Sequence, residues 1–177
     1  AILSKEKLEI TNTSIPKYDD PNARFIETEI QLNKIKKNIK LINIYLPNGN
    51  PIETEKFDYK IEWMKKFNTY IKGLKDNNIP IIISGDFNVI PTDDDVYSPE
   101  NYNNDACAHP LTREQYRILI NMGFTDLVKH FVEGKTNWTF WGYRGGGWQK
   151  GNGLRIDHFL TTANITDLVN KVEVNRE

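Results

Sequence analysis

The chain has 177 residues, of which 38% are hydrophobic and 27% charged, enough to bury one core and too apolar for wholesale disorder. No run approaches the roughly 18 apolar residues of a membrane span, and a net charge of −1 at pI 6.4 excludes a globally basic nucleic-acid binder, so any such binding needs a local basic face. A single cysteine, Cys107, excludes an internal disulfide and fits a reducing compartment.

The first residues, AILSKEKLEI, pass from apolar to alternating, with no charged start ahead of an apolar segment, so no signal peptide is expected. Residues 24–33, RFIETEIQLN, alternate apolar and polar and read as a half-buried strand. Residues 39–46, IKLINIYL, read as a second strand, joined to the first by a hairpin turn at KIKKN. Tyr45 then meets the turn signal Pro47-Asn48-Gly49. Phe57, Ile61, Met64, Phe67, Ile71 and Leu74 recur at spacings of three and four and predict an amphipathic helix over 57–76. Asn77-Asn78 ends it, and IPIII begins a strand buried on both faces, the order of a layered α/β arrangement. A second helix is predicted over 112–122, with Thr112 as its cap. WTFWGY (138–143) and LRIDHFLTT (154–162) read as strands around a long loop, RGGGWQKGNG. KVEVNRE reads as a short strand cut off in mid-course, and both ends suggest a piece of a larger domain, here a single one over 1–177.

The chemistry concentrates where IIISGDFNVIPTDDD leaves its strand. Alternation along a strand turns Asp86 and Asn88 to one side and Phe87 to the other. A carboxylate ending a buried strand is costly to desolvate unless a cation compensates it, and a hard ion such as Mg²⁺ suits oxygen ligands. The competing reading makes Asp86 a turn starter and Asn88 a residue bonded to its own backbone. Asp93, Asp94 and Asp95 read as a solvated loop or helix start rather than a metal cluster. Asp157 lies in an apolar strand beside Arg155: either the two pair, or Asp157 orients a histidine or assists a site from an adjoining strand. Tyr45, at a strand end, places a phenol where it can reach a phosphate oxygen. The aromatic strand reads first as core. With Arg144, Trp148, Lys150 and Arg155 it also offers stacking and gripping groups for nucleic acid.

Together NIYLPNG, ISGDFNVIPTDDDVYSPE and TFWGYRGGGWQKGNGLRIDHFL, in that order, resemble the exodeoxyribonuclease III / apurinic-apyrimidinic endonuclease family of the endonuclease–exonuclease–phosphatase superfamily. The likeness runs through essentially the whole chain. It implies a four-layer α/β sandwich of two packed, mainly antiparallel sheets flanked by helices, incomplete here at both termini. It implies a hydrolase of base excision repair, dependent on Mg²⁺ or alternatively Mn²⁺. Such an enzyme cuts phosphodiesters in duplex DNA at abasic sites and from 3′ ends, as a monomer in the cytoplasm with chromosomal DNA and apart from membranes. By the resemblance Asp86 is the aspartate, and a metal ligand, that activates or positions the attacking water. Asn88 and Tyr45 contact the scissile phosphate, and Asp157 pairs with a catalytic histidine. Asn48 contacts the DNA backbone, and Phe140, Leu154 and Ile156 form an apolar pocket for a base-free sugar; Trp148 and Arg144 are substrate-binding candidates from the residue reading above.

The sequence also departs from that pattern. The family has an asparagine and a metal-binding glutamate on strands ahead of the AILSK-like segment, and a Ser-Asp-His motif near its C-terminus. This chain has neither, and its histidines are His109, His130 and His158. Two other readings therefore stay open: a superfamily phosphatase or phosphodiesterase acting on non-DNA substrates, and an inactive DNA-binding fragment.

Overall fold

The computed structural model describes residues 1–5, 7–32, 37–134 and 137–175, with the side chains of Leu32, Lys37 and Arg144 outside the described set. Six strands form the main sheet, in the order β1-β2-β3-β4-β8-β5. They are β1 (Glu9–Asn12), β2 (Phe25–Leu32), β3 (Lys37–Tyr45), β4 (Ile81–Asp86), β5 (Phe124–Asp126) and β8 (Asp157–Thr162). Only β3 and β4 run parallel, because helix α1 (Glu55–Asp76) carries the chain back between them. The other neighbours are antiparallel. Strands β6 (Phe140–Trp141) and β7 (Gly153–Leu154) make a separate two-stranded sheet. The remaining helices are α2 (Pro110–Asn121), α3 (Leu127–Phe131), α4 (Gly147–Lys150) and α5 (Ala163–Thr166). The fold is thus mixed α/β, with a predominantly antiparallel main sheet.

The periodicity of α1 explains the core. Trp63, Met64, Phe67 and Ile71 fall on one stripe and pack on Ile42, Ile44, Ile81 and Ile83, which alternate onto one face of the sheet. Trp63 stacks on Phe67 at 5.3 Å, and Tyr116 and Leu119 of α2 close the cluster. Each fully buried side chain of this size contributes about 1.5–3 kcal/mol. On the opposite face, residues 169–175 lie beside Ser84 and Phe159 around a cavity of about 670 Å³.

Several expectations need correction. The KIKKN turn falls largely in 33–36, outside the described residues. The cap of α2 is His109, whose ring accepts from Leu111 N; Thr112 is buried inside the helix. The aromatic strand shrinks to Phe140–Trp141, because Trp138 leaves the ladder and packs so tightly on Gly153 that a Cβ there would lie 2.3 Å from the indole. LRIDHFLTT divides in two because Arg155 N donates to Asp95 O and Ile156 N to the Thr139 hydroxyl instead of a strand partner. Residues 171–175 form no strand.

Candidate active site

Sheet register assembles the site. Tyr45 of β3 lies opposite Asp86 of β4, and Asp86 lies opposite Asp157 of β8. Side chains of such cross-strand partners share a face with Cβ atoms roughly 5 Å apart, so a phenol and two carboxylates stand in one row at the carboxyl ends of β3 and β4. Gly85 makes this possible: at φ +130 its backbone lies so close to β3 that a Cβ would sit 2.0 Å from Ile44 O. Tyr45 is 53% exposed. Arg24 lies over its ring, 5.1 Å from the centroid, and donates to its carbonyl at 3.2 Å.

Beyond β4 the chain turns sharply. Asn88 takes the left-handed conformation, φ +47, and its N–H donates to Asp86 Oδ1 at 2.8 Å. Phe87 is buried in the core on the other side. The turn-forming reading of Asp86 and Asn88 therefore holds together with their convergence on one site. The amide of Asn88 is only 5% exposed. Its Nδ2 donates to Leu46 O at 2.8 Å and to Asp86 Oδ2 at 3.3 Å, and its Oδ1 accepts from Asn48 Nδ2 at 3.2 Å. Asn48 and Asn88 are thus brought together, with the Asn88 protons turned toward protein oxygens.

Three successive carbonyls of the same turn are held from three elements. Lys60 of α1 donates to Asn88 O at 2.6 Å, His158 of β8 to Val89 O at 2.9 Å, and Arg113 of α2 to Ile90 O at 2.9 Å. Burial, then the Arg155 charge, pull the His158 pKa down to about 4, so the ring is neutral and acts as a fixed donor.

The two carboxylates of the row have perturbed acidities. Burial, aided by the Asp157 charge and opposed by the Asn88 N–H, pushes Asp86 up to about 6. Burial also raises Asp157, against a hydrogen bond from Thr139. Neither forms an ion pair among the described residues. The anticipated Arg155–Asp157 pair does not form. Arg155 is buried on the other face, with Nε on Asp95 at 2.8 Å and Nη1 on Asp126 at 2.7 Å. Asp95 is accordingly buried, paired also with Lys129 at 2.9 Å, and not part of a solvated acidic loop.

The three residues expected to form an apolar pocket lie near one another but differ in burial. Phe140 pairs with Leu154 across β6 and β7 and is 40% exposed. Leu154 and Ile156 are buried with Ile90, Val96 and Cys107 and act as core. Phe140 instead joins Trp141 and Trp148 around a recess of about 370 Å³, the two indoles edge to face at 4.5 Å. Arg144 opens a 3-10 turn in this segment. Sequence reasoning overlooked Lys60, Arg24 and Thr139. Lys60 had a signal, a charge set within the apolar stripe of α1; the other two had none.

Two adjacent carboxylates that form no ion pair among the described residues fit a hard divalent ion, which takes oxygen ligands. They are a partial donor set: among the described residues no three Asp, Glu, His or Cys side chains converge. No described helix is long and apolar enough to cross a membrane.

Comparison with known proteins places this geometry in context. The model of the Endonuclease/Exonuclease/phosphatase family matches residues 1–176. A DNA-(apurinic or apyrimidinic site) endonuclease of Dictyostelium discoideum is 33% identical over 73% of this chain and 36% of its own length. An exodeoxyribonuclease of Bacillus subtilis is 27% identical over 100% of this chain and 68% of its own. Among solved structures, an AP endonuclease from Archaeoglobus fulgidus superimposes with a TM-score of 0.82 at 28% identity, covering 93% of this chain and 62% of that one. The 3′ phosphatase NExo from Neisseria, bound to a product DNA hairpin, gives 0.77 at 27%, covering 92% and 60%. The chain therefore spans about one third to two thirds of the length of these relatives.

Proposed function

Because the chain belongs to the endonuclease/exonuclease/phosphatase family, we propose that it carries part of the catalytic centre of a DNA-repair nuclease. In this reading the enzyme depends on a divalent metal and hydrolyses phosphodiesters in duplex DNA, both at abasic sites and 3′ to 5′ from DNA ends. The row Tyr45, Asp86 and Asp157 carries this reading. A carboxylate titrating near 6 is ionised at neutral pH and still basic enough to take a proton, which suits a group that activates or positions water at phosphorus. Tyr45, exposed beside it, donates to a phosphoryl oxygen, and the Arg24 guanidinium on its ring adds positive charge at the anionic substrate. Asn88 holds the Asp86 carboxylate in place through two hydrogen bonds, and Asn48 approaches the DNA backbone from the neighbouring loop. Mg²⁺, or alternatively Mn²⁺, held by oxygen atoms of Asp86 and Asp157, supplies charge neutralisation and Lewis acidity when bound. Phe140 and Trp148 present aromatic surface to unstacked nucleotides, and Arg144 is proposed as a further phosphate contact by its charge. The partner is duplex DNA with abasic sites or 3′ ends, met by a monomer in the compartment that holds the chromosome.

The test is a duplex oligonucleotide with one abasic-site analogue. Incision 5′ to the lesion is expected with Mg²⁺ from a version that restores the glutamate-bearing and Ser-Asp-His segments of the family, and is lost there with EDTA and with Asp86→Ala. No incision under any divalent metal would remove the nuclease reading. Removal of phosphate from DNA 3′ ends is a second reading, favoured by the likeness to the Neisseria 3′ phosphatase. A hairpin bearing a 3′-phosphate, assayed in parallel, separates the two.

A further inference from the structure

Lys60 occupies a position that α1 otherwise reserves for apolar side chains, and it is 0% exposed. Taking an ammonium out of water costs several kcal/mol unless its protons are satisfied. No carboxylate lies within ion-pair distance of it among the described residues. Its Nζ instead donates to two backbone carbonyls, Asn48 O at 3.0 Å and Asn88 O at 2.6 Å. Burial pulls its pKa down to about 8, against the pull of Cys107, Asp105 and Asp86. The loop around it is shaped to its stem: Gly49, at φ +87, passes so close that a Cβ there would lie 2.5 Å from the Lys60 Cδ. The two residues whose carbonyls it binds also bond to each other, Asn48 Nδ2 to Asn88 Oδ1. His158 and Arg113 each hold one carbonyl of the turn. Lys60 joins that turn to the loop carrying Asn48.

We propose that Lys60 is a positioning residue: it clamps the loop carrying Asn48 to the turn carrying Asn88, and so fixes where the Asp86 carboxylate faces the substrate. The clamp acts through Asn88, whose backbone and side-chain nitrogens both bond to that carboxylate. Its catalytic consequence rests on the phosphodiesterase reading above; its geometry does not. Displacing a reacting group by about 1 Å costs on the order of 100-fold in rate. That is the size of effect expected when the donors are removed.

Two variants separate positioning from bulk stability. Lys60→Met keeps the length of the stem and removes every donor; Lys60→Arg keeps donors. Incision of the abasic duplex with Mg²⁺ gives kcat and KM. The ¹⁵N side-chain amide signals of Asn48 and Asn88 report the clamp whether or not the protein cuts. For Lys60→Met, kcat is expected to fall about 100-fold with KM within about threefold, and Lys60→Arg to recover kcat to within about tenfold of the parent. The Asn48 and Asn88 amide signals should move in Lys60→Met. Those of Asn68, bonded elsewhere to Gln115, should stay. A Lys60→Met protein with parental kcat and unmoved Asn48 and Asn88 signals would overturn the proposal. If Lys60→Met does not fold, Lys60→Gln takes its place under the same criteria. If the parent incises no DNA, the nuclease reading fails, and the amide signals alone judge the clamp.

Discussion

Replacing Asp86 by asparagine is expected to stabilise the fold at neutral pH while abolishing hydrolysis. The Asp86 pKa rises from 3.8 to about 6 on folding, mainly through burial and then through the Asp157 charge. That is about two units, or about 3 kcal/mol of cost for keeping the carboxylate ionised in the folded state. Asparagine removes the charge and can still accept from Asn88 N. It loses the charge-assisted character of that bond and sets an amide nitrogen against Asn88 Nδ2, which costs about 1 kcal/mol. The net gain at pH 8 is about 2 kcal/mol, or a rise of about 4–8 °C in Tm for a chain of this size. The folded-state pKa lies above the unfolded one, so the folded parent holds the extra proton between them and loses stability as pH rises through that window. The advantage of the variant is thus complete above about pH 6 and absent below the unfolded pKa, where only the hydrogen-bond cost remains. Thermal unfolding of both proteins from pH 4 to pH 8 measures this directly. A variant less stable than its parent at pH 8, or one whose advantage does not change with pH, would refute the argument.

Arg155→Met should destabilise by about 3–5 kcal/mol, since it leaves the Asp95 and Asp126 carboxylates buried without their shared cation; urea unfolding is the assay, and a loss under about 1 kcal/mol would show that the network relaxes. Trp148→Ala should weaken binding of a labelled abasic duplex by about 1–3 kcal/mol, read by fluorescence anisotropy, with Tm nearly unchanged because the ring is half exposed. Unchanged affinity would remove this face from the proposed DNA-binding surface.

Local periodicity made much of the fold legible. The stripe of α1 and the alternation of β2 follow from burying one face of a regular backbone, and both elements lie within two residues of their expected bounds; the apolar run of β4 starts two residues after its expected start. The Gly-Asp-Phe-Asn turn was legible as a candidate site for a similar reason: a carboxylate at the end of a buried strand needs an explanation wherever that strand sits. Partner choice was not legible. Arg155 and Asp157 are two residues apart, yet the backbone leaves its ladder at Ile156, so Arg155 turns to Asp95 and Asp126, 60 and 29 positions distant. Leu154 and Ile156 look alike as lining or as core, and only the packing of Ile90, Val96 and Cys107 against them decides for core. Lys60 is the clearest case. Its place within an apolar stripe marks it as unusual, but the two carbonyls that satisfy it lie 12 and 28 residues away, on loops that meet only when β3 and β4 pair in parallel. The sequence by itself determined which segments bury a face and where a charge had to be compensated. The tertiary structure decided which charges meet, because hydrogen-bond and ion-pair geometry is set by the register of strands distant in the chain.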